Sequence, residues 1–476
     1  MINAKITSEL EQFRQSLYQN FDNRADTLIE LVDALCSYGR VRSPVELTLA
    51  PCFRRTYSTL YKAVDEFSCG TGHGAKQWVH LLAAYLPRPQ QRPFWLLGVD
   101  VTAQPRPYAS TTTDRGMVYQ PNLVKGNKPI TVGHQYSTVA LLPEAEANLS
   151  PSWLVPLTTQ RVATTDDKEL VGATQIQTLL SDRNLPFHRE LCVDVGDSCY
   201  SKPEYLHANR HHHNLVTLAR ARSTRTFYRR PLVRDEDNTV KKRGHPTWYG
   251  DAFRLQDSAT WHAPDETITL SQMSRRRKRY RVEIQTWHHM LMRGKQKPKP
   301  LPMHQHPFTL ACVTRYDEQG QQASKHPLWL IVIGERRYEL NVSDIYHAYE
   351  QRYDLEHFFR FGKQKLLLTN FQTPETDREE TWWCLVHLAY AQLWMARHVA
   401  RLLPRPWERN LPAMRERRIS PTLVQRDFAR IIRQLGTPAK APQPRGNSAG
   451  RSTGTKLAPR SRHRVVVKRL LKANSP

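Results

Sequence analysis

Residues 93–102 read PFWLLGVDVT, an apolar run that reaches an acid and decides the fold class. Its length and its aromatic and β-branched content favour a buried strand that delivers Asp100 near its end. Residues 191–197, LCVDVGD, repeat this pattern and end on Asp197. The other regular stretches of this region are strand-like at 132–142, 153–157 and 214–220 and helix-like at 164–180. Strands followed by helix–strand alternation predict an α/β core.

The remaining chain changes character at several points. Residues 1–90 carry apolar residues at helical spacing, whereas residues 221–326 are rich in Arg, Lys, His, Trp and Pro and contain short alternating stretches. Residues 437–476 are basic and contain no Asp or Glu. The sequence therefore predicts five segments. They are a helical domain at 1–90, the first part of the core at 91–220, a β-rich insertion at 221–326, the second part of the core with C-terminal helices at 327–436, and a disordered basic tail at 437–476.

Composition excludes several classes of protein. The chain has 476 residues with 70 Lys and Arg against 44 Asp and Glu, a formal charge of +26. No apolar run approaches the roughly 20 residues of a membrane-spanning helix. The seven cysteines are scattered and odd in number, which argues against a disulfide scaffold. A large positive charge favours a polyanionic partner, and nucleic acid is the first expectation.

The N-terminus, MINAKITSELEQF, is polar and has no apolar signal core. This pattern predicts a cytoplasmic protein that meets no membrane. The charge also favours DNA as the partner.

A predicted helix over 343–366 carries the most informative spacing. With Tyr349 at zero on a helical wheel, Arg352 falls at about −60°, Glu356 at about −20° and Lys363 at about −40°. The four side chains therefore share one face. The carboxylate can hold a metal ion and the cations can hold phosphates. A solvated, charged helix face would show the same pattern. Two further helices are predicted at 378–403 and 421–435.

The strand-end acids extend this pattern into a candidate metal site. Carboxylates from two neighbouring strands, joined by a third from a helix, offer the oxygen ligands that Mg²⁺ prefers. Asp100, Asp197 and Glu356 are the candidates. Either Asp alone is more simply a turn former or helix cap, and Asp194 also ends an apolar run and competes with Asp197.

The pattern Tyr349-x2-Arg352-x3-Glu356-x6-Lys363 resembles the Tyr-Arg-Glu-Lys signature of the DDE transposases of the insertion-sequence-four-like group of bacterial elements. The stretch GVDVT at 98–102 is similar to that family's first-strand Asp. The stretch VGDSCY at 195–200, followed by Glu204-Tyr205-Leu206, is similar to its second. The longer gap from Asp197 to Glu356 fits the β-rich insertion that the family carries there.

The resemblance implies an RNase H-like core in which Asp100, Asp197 and Glu356 hold two divalent ions, Mg²⁺ or Mn²⁺. Tyr349, Arg352 and Lys363 would bind DNA phosphates near the transposon end, and residues 1–90 would bind that end. The implied activity is cleavage of transposon ends and strand transfer into target DNA by a homodimeric synaptic complex. The resemblance also implies a bacterial protein associated with the nucleoid. Two alternatives remain: a related nuclease without strand transfer, and a catalytically silent DNA-binding regulator.

Overall fold

The structure is a computed structural model, and it describes most of the chain. The described residues are 2–67, 73–120, 129–145, 153–231, 248–273, 278–294, 300–403, 405–408, 418–444, 450, 452–456 and 458–467. Within these residues, no helix combines the length and the apolar character that crossing a bilayer requires.

Helices begin and end the element order of the described residues, and the strands lie between them with two further helices. The helices are α1 (Ile2–Gln19), α2 (Ala25–Ser37), α3 (Tyr57–Glu66), α4 (His73–Ala83), α5 (Lys168–Ser181), α6 (Pro203–Asn209), α7 (Val342–Gln351), α8 (Tyr353–Lys365), α9 (Thr376–Leu402) and α10 (Pro421–Leu435). The strands are β1 (Trp95–Pro105), β2 (Gly116–Tyr119), β3 (Ile130–Leu141), β4 (Val155–Val162), β5 (Cys192–Gly196), β6 (Leu215–Ala221), β7 (Thr226–Tyr228), β8 (Ala252–Arg254), β9 (Glu266–Met273), β10 (Arg279–Met290), β11 (Phe308–Tyr316) and β12 (Leu328–Ile333). The predicted mixed α/β fold class is confirmed.

By its contacts the chain forms two compact units. The first comprises Met1–Pro87, Val101–Val171 and Asp354–Pro476, and the second comprises Arg88–Asp100 and Gly172–Tyr353. This grouping differs from the five consecutive segments predicted from composition, because each unit collects stretches that are far apart in sequence. The five predicted segments, with bounds at 90, 220, 326 and 436, stay a prediction.

The second unit is built on a mixed set of paired strands. The first half of β1 pairs in parallel with β5, and β5 pairs in parallel with β6. From β6 the pairing becomes antiparallel, through β12, β11 and β10 to β9. The predicted β-rich character of 221–326 is confirmed for its described residues. Strands β9 to β11 nevertheless continue the pairing that begins at β5 and β6, rather than forming a separate sheet.

The first unit has α9 at its centre. Trp382 and Trp383 of this helix are fully buried, and α1, α2 and α10 pack around it. A buried ion pair between Arg14 and Asp33, at 2.6 Å, links α1 to α2. Gln392 of α9 donates a hydrogen bond to the same carboxylate at 3.0 Å. The helices of 1–90 are confirmed as helices, but they share their core with the C-terminal helices.

Part of the C-terminal tail is ordered against the first unit. The backbone N–H groups of His463 and Val466 donate to the carbonyls of Ser110 and Arg115 at 2.7 and 2.8 Å. Val466 forms a parallel bridge with Gly116 at the start of β2. The prediction of a disordered tail is therefore wrong for residues 458–467. Residues 445–449, 451, 457 and 468–476 of that prediction lie outside the described residues.

The helix predicted over 343–366 is interrupted at a single residue. Helix α7 ends at Gln351 and α8 begins at Tyr353, while Arg352 keeps helical backbone angles (φ −48°, ψ −32°) and its N–H donates to the carbonyl of Tyr349 at 3.2 Å. Among the residues that the structure describes, Cys384 is disulfide-bonded, and Cys36, Cys52, Cys192, Cys199 and Cys312 are free thiols.

Candidate active site

The pairing of β1 with β5 sets two carboxylates side by side. Gly98 pairs with Val195, an offset of 97 residues that also separates Asp100 from Asp197. Neighbouring strands lie about 4.8 Å apart, so residues at the same register position are adjacent. Both side chains are half-buried. The two acids predicted from the sequence are therefore brought together. Asp197 directly follows β5, and Asp100 lies within β1, two residues beyond the last position that pairs with β5.

A tight turn fixes Asp197 after β5. Its Oδ1 accepts a hydrogen bond from the backbone N–H of Cys199 at 2.7 Å. Gly196, just before it, lies against Tyr200, and a Cβ at position 196 would approach the Cβ of Tyr200 to 2.6 Å. Glycine is therefore required for the chain to fold back here, and this fold-back presents Asp197 at the strand end.

Asp194, the competing acid, has a different setting. It lies within β5, is fully buried, and accepts hydrogen bonds from Tyr205 Oη at 2.6 Å and Thr217 Oγ1 at 2.5 Å. Burial raises the pKa of Asp194 to about 6, although both hydrogen bonds act to lower it. Its carboxylate is enclosed by its own protein partners, which favours a structural role over metal binding.

Helix α7 is held against the second unit's strands by a polar network. Tyr346 donates to Gln272 Oε1 of β9 at 2.6 Å, and Gln272 donates to Glu350 Oε2 at 2.6 Å. Arg315 of β11 donates to Tyr346 Oη at 3.0 Å and forms an ion pair with Glu350. These contacts bind one face of α7 and place its last turn near β5 and β6.

That last turn brings Tyr349 and Arg352 to the strand-end acids. Arg352 Nη1 lies 3.8 Å from Asp100 Oδ2, and its guanidinium lies 5.8 Å from the Tyr349 ring centroid. Burial raises the pKa of Tyr349, the positive charges of Arg352 and Arg220 lower it, and the charge of Asp197 raises it. The phenol is therefore neutral and close to both cations and to Asp197.

Arg220 received no role in the sequence analysis. Gly196 pairs with Ala219, so continuing that register by one residue places Arg220 beside Asp197. Its side chain is exposed at the end of β6. The available signal was a basic residue closing an apolar strand. Only the strand register shows which acid it accompanies.

Glu356 and Lys363 lie on α8, in the first unit. Glu356 is in the first turn and is half-buried. Lys363 Nζ donates to Thr102 Oγ1 of β1 at 2.7 Å, so this side chain contacts the strand that carries Asp100. The convergence of Glu356 with Asp100 and Asp197 stays a prediction.

A second acidic centre, in the first unit, is fully enclosed. The buried Glu379 of α9 accepts hydrogen bonds from Arg106 Nε at 2.7 Å and Tyr136 Oη at 2.9 Å. His134 contacts its Oε1 through Nδ1 at 2.7 Å, while Nε2 faces the Thr113 carbonyl at 2.9 Å. Both ring nitrogens of His134 therefore lie against oxygen atoms of the protein.

Comparison with known families identifies the chain. Residues 16–294, more than half of its length, match the model of the DDE superfamily endonucleases. The chain belongs to this family. No curated relative matches it significantly. The matched range contains Asp100 and Asp197 and ends before Tyr349, Arg352, Glu356 and Lys363.

Membership in the DDE superfamily endonucleases implies a DNA substrate and cleavage that depends on divalent metal ions. The half-buried carboxylates of Asp100 and Asp197 are the oxygen ligands that such hard cations prefer, so these two side chains suit a divalent metal ion. Among the residues that the structure describes, no group of three or more His, Cys, Asp and Glu is placed to hold a metal ion.

Proposed function

We propose that this DDE superfamily endonuclease is a DNA transposase, which cleaves transposon ends and transfers the freed strands into target DNA. The observation that carries the proposal is the register of β1 and β5, which sets Asp100 beside Asp197 just beyond the last paired residues of the two strands. The parallel pairing of β1, β5 and β6 supports an RNase H-like core. The Tyr-Arg-Glu-Lys spacing supports the insertion-sequence-four-like group.

In this proposal Asp100, Asp197 and Glu356 would hold two Mg²⁺ or Mn²⁺ ions. When bound, such ions would supply Lewis-acid activation of the attacking hydroxyl and charge neutralisation at the phosphodiester. Asp197 is favoured over Asp194 because Asp197 ends its strand half-buried, whereas Asp194 is enclosed by Tyr205 and Thr217.

The cationic side chains orient the DNA. Arg352 lies beside Asp100, where its guanidinium can donate two parallel hydrogen bonds to one phosphate. Lys363 adds a point charge next to Thr102. The neutral phenol of Tyr349 can donate a hydrogen bond without adding charge. Together these groups would position the scissile phosphate for in-line attack by water and then by a 3′-hydroxyl.

A second candidate is a metal-dependent nuclease that cuts but does not join DNA. The family match favours this candidate, because the matched family is described as endonucleases, a term that names cleavage and not strand transfer. The two candidates share one active site and differ in the product. Strand transfer also needs two DNA ends held together, for which we propose a homodimer.

The test uses a labelled duplex made from the DNA that flanks the gene, with Mg²⁺ and an unlabelled target. We expect cleaved ends followed by joined products from the wild-type protein. Glu356→Gln and Asp197→Asn should lose both products while retaining DNA binding in a gel-shift assay. Glu339→Gln is the control, since this exposed acid pairs with Arg336 and has no proposed part in the reaction.

The products separate the hypotheses. Cleavage without joining, even with paired ends, would replace the transposase proposal with the nuclease. Cleavage that persists in Glu356→Gln would remove that residue from the acid set. DNA binding without metal-dependent cleavage, unchanged by either substitution, would favour the silent regulator.

A further inference from the structure

The second unit contains a pocket that the proposed reaction does not use. It has a volume of about 310 Å³ and opens where β6 begins and β12 ends. Leu215, the first residue of β6, lines the pocket. Arg220, which lies beside Asp197, is five residues further along the same strand, a distance of about 17 Å. The pocket is thus at the opposite end of β6 from the strand-end acids.

Two arginines supply the charge of this pocket, which we call the Arg337 pocket. Arg210 follows α6, and Arg337 lies in a short turn of helix after β12. The acid in the lining is Glu335, whose side chain is exposed. The pocket therefore combines two cations with one solvated carboxylate, and its field favours an anion.

Arg337 is held rigidly. It is about nine-tenths buried, and its terminal nitrogens donate to the Gly334 carbonyl at 2.9 Å and to Tyr338 Oη at 2.7 Å. Its Nε is buried and makes no hydrogen bond to any residue that the structure describes. The Gly334 carbonyl and the Tyr338 hydroxyl are uncharged, so neither acceptor neutralises the charge of the guanidinium. A buried donor that lacks a partner is costly, and a bound anion would satisfy it.

The neighbouring histidines confirm the positive field. Arg210 Nη1 lies 2.7 Å from His207 Nδ1, which must accept because arginine can only donate. Burial, and then the charge of Arg210, lower the pKa of His207 to about 4. Burial followed by the charge of Arg210 also lowers the pKa of His306, which lines the pocket. These rings are neutral at pH 7 and can bind a ligand by hydrogen bonds.

We propose that the Arg337 pocket binds a phosphate group through Arg210 and Arg337, with His212, Gln305 and His306 contacting the rest of the ligand. Planar guanidinium groups match phosphate oxygens in pairs. The volume is at the small end of ligand pockets, which suits a mononucleotide. The phosphate can belong to a free nucleotide or to the backbone of DNA, and the experiment below distinguishes these sources.

Titration calorimetry on the full-length protein, with inorganic phosphate and with AMP as probes, tests the proposal. Arg210→Gln and Arg337→Gln should each weaken binding roughly tenfold or more, the effect of losing a hydrogen bond to a charged group. Arg336→Gln is the matched control. It removes the same charge one residue away, where Arg336 pairs with Glu339 outside the pocket.

One further variant guards against loss of folding. Glu335→Gln removes the negative charge at the pocket without touching either arginine, so it should tighten phosphate or AMP binding. A damaged fold cannot produce tighter binding. In parallel, the affinity of a short duplex is measured against salt concentration. If the phosphate is that of DNA, Arg210→Gln should reduce the salt slope by about one.

Each outcome decides the proposal. Loss of AMP binding in both arginine variants supports a free nucleotide, and loss of duplex affinity with little AMP binding supports a backbone phosphate. Unchanged binding of all three probes in both variants overturns the proposal. Asp197→Asn should leave the Arg337 pocket intact, so failure of the proposed transposase activity and failure of this inference give different results.

Discussion

The interior of β5 and its carboxyl end hold two aspartates, three residues apart, in opposite settings. Asp194 is fully buried and accepts hydrogen bonds from Tyr205 and Thr217, whereas Asp197 is half-buried and follows the strand. Glu379 repeats the first setting in the other unit. This difference shows that an enclosed, hydrogen-bonded carboxylate stabilises the fold, whereas a half-buried carboxylate after a strand remains accessible to a metal ion.

The largest expected effect separates the two aspartates of β5. Asp197→Asn should reduce DNA cleavage by roughly three orders of magnitude or more, as expected for a group that acts in the transition state. Asp194→Asn should leave cleavage per folded molecule near the wild-type value but lower the midpoint of thermal unfolding. Cleavage assays normalised by circular dichroism measure both. The reverse pattern would make Asp194 the second acid.

Glu379 provides the next largest effect. Glu379→Gln leaves the side chain of Arg106, which has no solvent exposure, without its charged partner. Removing one member of a buried ion pair costs about 3–5 kcal/mol of unfolding free energy. Denaturant unfolding should show this loss. Glu66→Gln, at the solvent-exposed pair with Arg24, is the control and should change stability little. Equal losses of unfolding free energy in both variants would contradict a structural role for Glu379.

The titration of Asp194 should have a smaller effect, on the pH dependence of the unfolding free energy, and its direction follows from the pKa. Its folded-state pKa of about 6 lies above the ordinary value of 3.8. The folded protein therefore holds this proton more tightly, and stability falls as pH rises from about 4 to about 6. The stability of wild type relative to Asp194→Asn should decline by about 1–3 kcal/mol across this window. A rise with pH would show that the carboxylate is favoured when ionised.

Tyr205→Phe should have the smallest effect. It removes one donor to Asp194, at a cost of about 1 kcal/mol, and leaves Thr217 in place. Because the lost hydrogen bond lowers the pKa of Asp194, the pH window of the preceding comparison should move upward. Unfolding measured at several pH values tests this shift. An unmoved window would show that Thr217 alone sets the ionisation of Asp194.

Several features of the fold could be predicted because they depend on local pattern. Apolar runs ending in an acid predicted β1 and β5, and helical periodicity predicted α9 and α10 within a few residues. The break at Arg352 carries no such signal, since neither proline nor glycine marks it. The shared core of α1, α2 and α9 rests on contacts between distant residues such as Arg14, Asp33 and Gln392, which periodicity does not reveal.

The candidate site could also be predicted only in part. Spacing singled out Asp100 and Asp197, but choosing between Asp194 and Asp197 required the strand register and the hydrogen bonds of Tyr205 and Thr217. The tail was misjudged for a physical reason. Its composition is basic and rich in Pro, Gly and Ser, yet pairing through the backbone N–H groups of His463 and Val466 does not depend on side-chain type.

The pairing of Val466 with Gly116 has a consequence for handling the protein. A strand edge with unpaired N–H and C=O groups invites pairing with another molecule and thus aggregation. Residues 458–467 cover the start of β2 and keep it from such exposure. A chain shortened before residue 458 should therefore be more prone to self-association at this edge, so a purification tag is better placed at the other terminus.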